Sequence, residues 1–345
     1  MVRKTNYWML ILLVFSVLLL PLTGCNDDEE EEADLYTLTL SMTPEDYGSI
    51  SDNVSGDYEE GEEVYINASP YEDYGFYAWM DGEEIESYES AYVFTMPAEN
   101  ISLTAEFIVA DGTTGTVSDV DGNQYTTVYA GGMEWMAENL NSTQYNDGSD
   151  IAGGLSNEDW ADTEQGAYAV YPHQDVDGID SENGMEEAYG RLYNWYAVNN
   201  DKGICPSGWH VPEDEELSEL MDYLTNKYSG VSENNVGNFL KSCRQVNSPE
   251  DGNCATSVHP RWNANDTHYG TDDIGFNALP AGERSSNDGE FNNIGHFWNI
   301  WTATEENAGK AWRWWVRSNA GSLFHLDAWD KNRGYSVRCV RDAGE

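Results

Sequence analysis

From Leu35 to Val109 apolar residues fall on alternate positions. Tyr36-Leu38-Leu40, Val64-Ile66-Ala68, Tyr92-Phe94-Met96 and Ile101-Leu103-Ala105-Phe107 each place one face inward, the pattern of half-buried strands. Gly48, Gly56, Gly61, Gly75 and Gly82 mark turns between them, and Phe76 and Trp79 add bulk to a core that would otherwise be thin. Ahead of this stretch, Met9 to Leu22 is almost wholly apolar and follows the positive pair Arg3 and Lys4. That run is too short for a comfortable bilayer span and reads as an export signal. Past residue 110 the pattern becomes mixed. Thr116-Val117 and Tyr125 to Val128 flank Asp119-Val120-Asp121-Gly122-Asn123 and predict a hairpin, with the Asp-Gly-Asn cluster as its turn. After Pro212, Glu213 to Glu216 put acids at a helix N-terminus. Leu217, Leu220, Met221 and Leu224 then follow at i, i+3, i+4 and i+7, an amphipathic helix. Tyr189, Leu192, Tyr193 and Tyr196 repeat that spacing and predict an earlier helix.

Charge sharpens the division. The net charge is −47, and it is segregated: residues 25–190 hold 41 acids and no Lys or Arg, whereas 191–345 hold 22 acids and 14 basic residues. A surface of that sign repels phosphate backbones and anionic headgroups, so nucleic acid is not a partner and docking onto anionic lipid is disfavoured. Cations are the natural small partners; a saline habitat or plain colloidal solubility accounts for the bias. Aromatic and alternating apolar residues throughout exclude a disordered chain outside the acidic run Asp27 to Glu32.

Several ordered motifs carry resemblances. Leu22-Thr23-Gly24-Cys25 resembles the bacterial lipobox, which implies removal of residues 1–24, lipidation of Cys25 and anchoring to outer-membrane lipid. The acids behind it, in a tether over 25–34, resemble the signal that carries lipoproteins to the outer face of the outer membrane; a merely solvated tether is the other reading. Gly-Ser-Ile at 48–50, Gly-Asp-Tyr at 56–58, Gly61-Glu62, Gly75-Phe76, Trp79, Tyr92-x-Phe94-x-Met96-Pro97 and the run from Ile101 to Phe107 together resemble one divergent internalin B-type repeat over 35–109. That implies a small all-β domain, a spacer or interaction module without catalytic residues. A linker over 110–116 follows. The second part, 117–343, carries Gly132 to Leu140, Tyr189 to Val198, Cys205 to Pro212, Gly275 to Gly282, Trp301 to Glu305 and Gly334 to Asp342. This ordered set resembles the Fibrobacter succinogenes major paralogous domain. The resemblance implies an α+β, C-type-lectin-like fold shared with formylglycine-generating enzymes, with two helices packed on small antiparallel sheets.

The remaining cysteines fit export. Cys205, Cys243, Cys254 and Cys339 form an even set without Cys-x-x-Cys spacing, which favours disulfides over zinc, with three pairings open. Cys243 and Cys254 flank a polar loop and would close a short ring, which leaves Cys205 with Cys339 for a long one.

Candidate chemistry is concentrated late in the chain. Of 13 Trp residues, 11 lie in 135–329, and half of the basic residues after Cys25 lie between Lys310 and Arg341. Aromatic faces stack on sugar rings while Arg and Asp bond hydroxyls, so Arg284, Trp298, Arg313, Trp315, Arg317, Trp329 and Lys331 are the candidate ligand-binding set. If 312–317 is a strand, Trp312, Trp314 and Val316 form its core face, and Arg313, Trp315 and Arg317 its exposed one. The ligand is then an extracellular glycan, with protein adhesion as the alternative; the basic island either makes that glycan an anionic one or docks against the acidic stalk, and the sequence favours neither. Asp175, Asp177, Asp180 and Glu182 offer carboxylates to calcium, the one candidate cofactor, without matching an EF-hand. Catalysis has little support. The six His residues form no His-Glu-x-x-His pair, no Gly-x-Ser-x-Gly elbow occurs, and His210 reads as a buried structural residue. An exported enzyme of the formylglycine-generating type would need a free thiol.

Overall fold

A computed structural model of the chain describes residues 34–51 and 54–343. The leader 1–24, Cys25 and nearly all of the tether lie outside them. The described chain is mixed and mostly β, with five short α-helices and several small sheets.

The alternating runs of 35–109 all become strands. Leu35–Thr43 lies beside Ile101–Val109 in parallel, with register partners from Leu38↔Ile101 to Thr43↔Glu106, so the first and last strands of this domain are neighbours. Gly56–Glu59, Tyr74–Asp81 and Glu84–Ser87 complete a five-stranded sheet, and Gly48–Ile50, Glu63–Pro70 and Ala91–Thr95 make a three-stranded one. The inward faces meet in a core of Leu38, Val64, Ile66, Phe76, Trp79 and Phe107, among others. Gly48 is obligatory there, because a Cβ would come within 2.4 Å of the Phe107 ring.

The predicted hairpin forms as Thr114–Ser118 and Gln124–Ala130, with Tyr125 opposite Val117. Its turn is closed by protein donors: the Asp119 carboxylate accepts from Asn123 N (2.9 Å) and the Tyr125 hydroxyl (2.6 Å). Met133–Met136 and the last strand, Val340–Asp342, extend this sheet, so the end of the second domain returns to its start. The helix after Pro212 spans Asp214–Lys227; Glu216 accepts from the Glu213 backbone N–H (2.6 Å), and Leu217, Leu220 and Leu224 are buried. The earlier helix is misplaced by the sequence pattern. It spans Glu182–Tyr189 and stops there because Gly190, at φ +70°, turns the chain; Leu192–Tyr193 is a short strand and Trp195–Val198 a separate turn of helix. His210 is also corrected. It is exposed, its backbone pairs with Val340, and its ring bonds Glu216 Oε1 (2.7 Å), a pair that raises its pKa.

The two domains are docked, and 110–116 is no free linker. Strand structure resumes at Thr114, and Asp111 accepts from Gly131 N (2.9 Å), Tyr223 OH (2.8 Å) and Tyr228 OH (2.7 Å). Tyr77 of the repeat stacks on Tyr223 of the long helix with centroids 5.2 Å apart. Beside this seam a cleft of about 760 Å³ opens, its rim including Tyr88, Glu106, Glu219 and Asp222. Hydrogen bonds to a charged acceptor contribute roughly 1.5–3 kcal/mol. We therefore expect Asp111→Ala to lower stability by about that much and to broaden the interdomain distance distribution in small-angle scattering; an unchanged distribution would show that the tyrosine stack alone holds the seam.

The family landmarks converge on one buried guanidinium. Arg338 is fully buried; it donates to Asn139 Oδ1 (3.2 Å), Met136 O (3.2 Å), Phe276 O (2.5 Å) and Asn277 O (2.5 Å), and lies over the Phe276 and Trp298 rings. Burial pushes its pKa down to about 9. Three landmark segments distant in sequence are thus clasped by one side chain.

Candidate functional site

Strands Phe297–Asn307 and Lys310–Arg317 form a long hairpin, joined by Ala328–Asp330. One face carries Trp298, Ile300, Trp314 and Val316 into a core shared with Leu217, Leu220 and Leu224. Trp298 is therefore not a ligand residue: it is fully buried, its indole N–H bonds Asn139 Oδ1, and Arg338 lies over its ring. Trp314 is core as expected. Trp312 is only half-buried, set against the His325 ring at 4.5 Å.

The opposite face holds Arg313, Trp315 and Arg317, as the alternation predicts. Trp315 is half-buried between Phe297 (centroids 5.6 Å apart) and Phe324, on which it stacks at 4.1 Å and 14°. Phe324 is brought there by its own bridge to Trp315, with backbone hydrogen bonds in both directions. Arg317, also half-buried, lies over both rings at 5.6 and 5.2 Å. Its guanidinium has no hydrogen-bond or ion-pair partner among the described residues. Its charge, after burial, helps hold the pKa of His296 below the usual histidine value.

Arg313 departs from expectation. It is buried, because Trp329 and Tyr335 close around it at 5.1 and 5.0 Å; it bonds Asn299 Oδ1, and its nearest carboxylate, Asp327, stands 3.9 Å away. Half-buried Trp329 is sandwiched between Arg313 and Arg333, and Arg333 pairs with Glu283 at 3.1 Å. The Nε donors of Arg313, Arg317 and Arg333 and the indole N–H groups of Trp315 and Trp329 find no acceptor among the described residues. Buried donors left in that state cost free energy.

The other candidates fall elsewhere. Arg284 is buried between Trp160 and Phe291 and donates to Gly289 O (2.8 Å) and Leu155 O (3.0 Å), so it fastens loops. Lys331 is buried over Trp195 and spends its charge on Glu305 (2.6 Å). Asp175, Asp177, Asp180 and Glu182 are exposed and do not converge: Asp175 ends a 3-10 turn, and Glu182 opens a helix. Among the described residues no group of three or more His, Cys, Asp or Glu side chains is placed to hold a metal ion, so the four carboxylates predicted for calcium are not brought together. The four cysteines pair as expected, Cys205 with Cys339 and Cys243 with Cys254. Sequence reasoning missed Phe297, Phe324 and Arg333. Phe297 was within reach of the strand pattern; Phe324 and Arg333 arrive from loops.

These features define a two-domain, β-rich protein: a small repeat domain docked on a mixed domain that presents an aromatic and guanidinium face. Residues 38–111 match the divergent InlB B-repeat domain. Residues 128–341 match the Fibrobacter succinogenes major domain, and the chain belongs to that family. No curated protein and no solved structure matches it.

Proposed function

We propose that the chain is an exported lipoprotein, anchored through Cys25 in the outer membrane with its head at the cell surface. The head, of C-type-lectin-like type, binds an extracellular glycan rather than catalysing a reaction, and the repeat domain is its spacer. The observation that carries this reading is the half-buried aromatic cluster of Phe297, Trp315 and Phe324, with Arg317 over two of its rings and Arg313 linking Trp315 to Trp329. Aromatic faces with polar groups at their rim are the physical requirement for gripping a sugar ring, whose C–H face is apolar and whose edge is polar. The disulfides at all four described cysteines leave none of them as the thiol that formylglycine-type chemistry would use.

The test is a glycan array with residues 26–345, with Trp315→Ala in parallel. We expect defined glycan binding that is unchanged by chelator and at least tenfold weaker in the variant, with melting lowered by only a few degrees. Binding that needs calcium would reinstate a metal. Silence on the array, with capture of a partner that survives the partner's deglycosylation, would replace the glycan with a protein ligand.

A further inference from the structure

We propose that the glycan bound at this face is acidic and that Arg317 receives its negative charge. The inference rests on the glycan reading and adds the ligand's chemical class.

The chain has 63 acidic and 16 basic residues, so a guanidinium standing near the surface has every opportunity to find a carboxylate. Three nearby cations do: Arg333 has Glu283, Lys331 has Glu305, and Arg313 faces Asp327, while buried Lys241 is satisfied by Asn238 Oδ1 and two backbone carbonyls. Arg317 has none among the described residues, and its contacts are with the Trp315 and Phe324 rings. Contact with two rings holds the guanidinium at this face while no hydrogen bond among the described residues engages it. A planar fork in that condition matches a carboxylate or sulfate, to which it can donate two parallel hydrogen bonds. Arg313, on the same strand face four residues earlier, adds a second positive charge deeper in the sheet, attenuated by Asp327. The sugar ring that carries the anion would lie on Trp315 with its acid group toward Arg317. Because the whole molecule is strongly negative, long-range attraction does not gather such a ligand; the recognition is local, made within hydrogen-bonding reach.

The experiment compares polygalacturonate with its methyl ester, and sulfated with desulfated glycans, against the wild type, Arg317→Gln and Arg317→Lys. We expect an acid form to bind and its neutral counterpart to bind at least tenfold more weakly. Arg317→Gln should remove that preference without a change in melting, and Arg317→Lys should keep part of it. A response confined to the carboxylate pair or to the sulfate pair identifies which oxyanion is held. Equal binding of charged and neutral forms, or an acid preference that persists in Arg317→Gln, overturns the proposal while the glycan reading stands. Absence of binding to every glycan, neutral ones included, overturns both. Should Arg317→Gln fail to fold, the ester comparison on the wild type still decides.

Discussion

Replacing Arg338 by Met is expected to destabilise the second domain by about 3–5 kcal/mol, the range for leaving a buried hydrogen-bonded network without its charged member. Methionine fills much of the same volume, so the loss is not chiefly one of packing. It comes from three backbone carbonyls, Met136 O, Phe276 O and Asn277 O, and from Asn139 Oδ1, all of which lose a donor, three of them in buried surroundings and Asn277 O in a part-buried one. Arg338→Lys should recover only a part, because an ammonium cannot span the same acceptors that the planar fork reaches. Denaturant midpoints for the three proteins check this. If Arg338→Met melted within 1 kcal/mol of the wild type, the guanidinium would be a passenger and the landmark segments would be held by packing alone.

The second large effect concerns the Cys205–Cys339 bridge, whose ends are 134 residues apart in sequence. On the loop-entropy account such a closure contributes about 5 kcal/mol, against about 3 kcal/mol for a short ring such as Cys243–Cys254. We expect the double Cys205→Ser, Cys339→Ser variant to lose several kcal/mol, with a fall in melting temperature on the order of 10 °C. The double variant at Cys243 and Cys254 should lose distinctly less. Equal losses would mean that native-state strain, not chain entropy, sets the contribution. Arg338 and Cys339 are adjacent, so combining the two changes should cost less than the sum of the separate losses.

The strands of 35–109 and the helix Asp214–Lys227 were legible because each has one buried face, and burial leaves a period in the sequence. The supposed helix through Tyr189 and Tyr196 failed on the same criterion: a single glycine at positive φ overrides a periodicity that its neighbours satisfy by chance. In the candidate site, Trp315 and Arg317 followed from strand alternation, but Arg313 and Trp298 did not. Alternation tells which side chains share a face and is silent on what a distant loop lays over it; here Trp329 and Tyr335 close over Arg313. The clasp made by Arg338 was equally hidden, since an arginine in a motif gives no sign that its partners lie some 60 and 200 residues away.

The parallel pairing of Leu35–Thr43 with Ile101–Val109 has a mechanical meaning. One strand is where the chain enters the repeat domain and the other is where it leaves for the head. Tension applied between the start of the chain and the head draws these two neighbours in opposite directions along their length. Six register pairs, Leu38↔Ile101 through Thr43↔Glu106, then share the load in shear instead of parting one after another like a zip. The repeat domain is strung in the orientation that resists extension, so a pull between its two ends loads the sheet along its strongest axis.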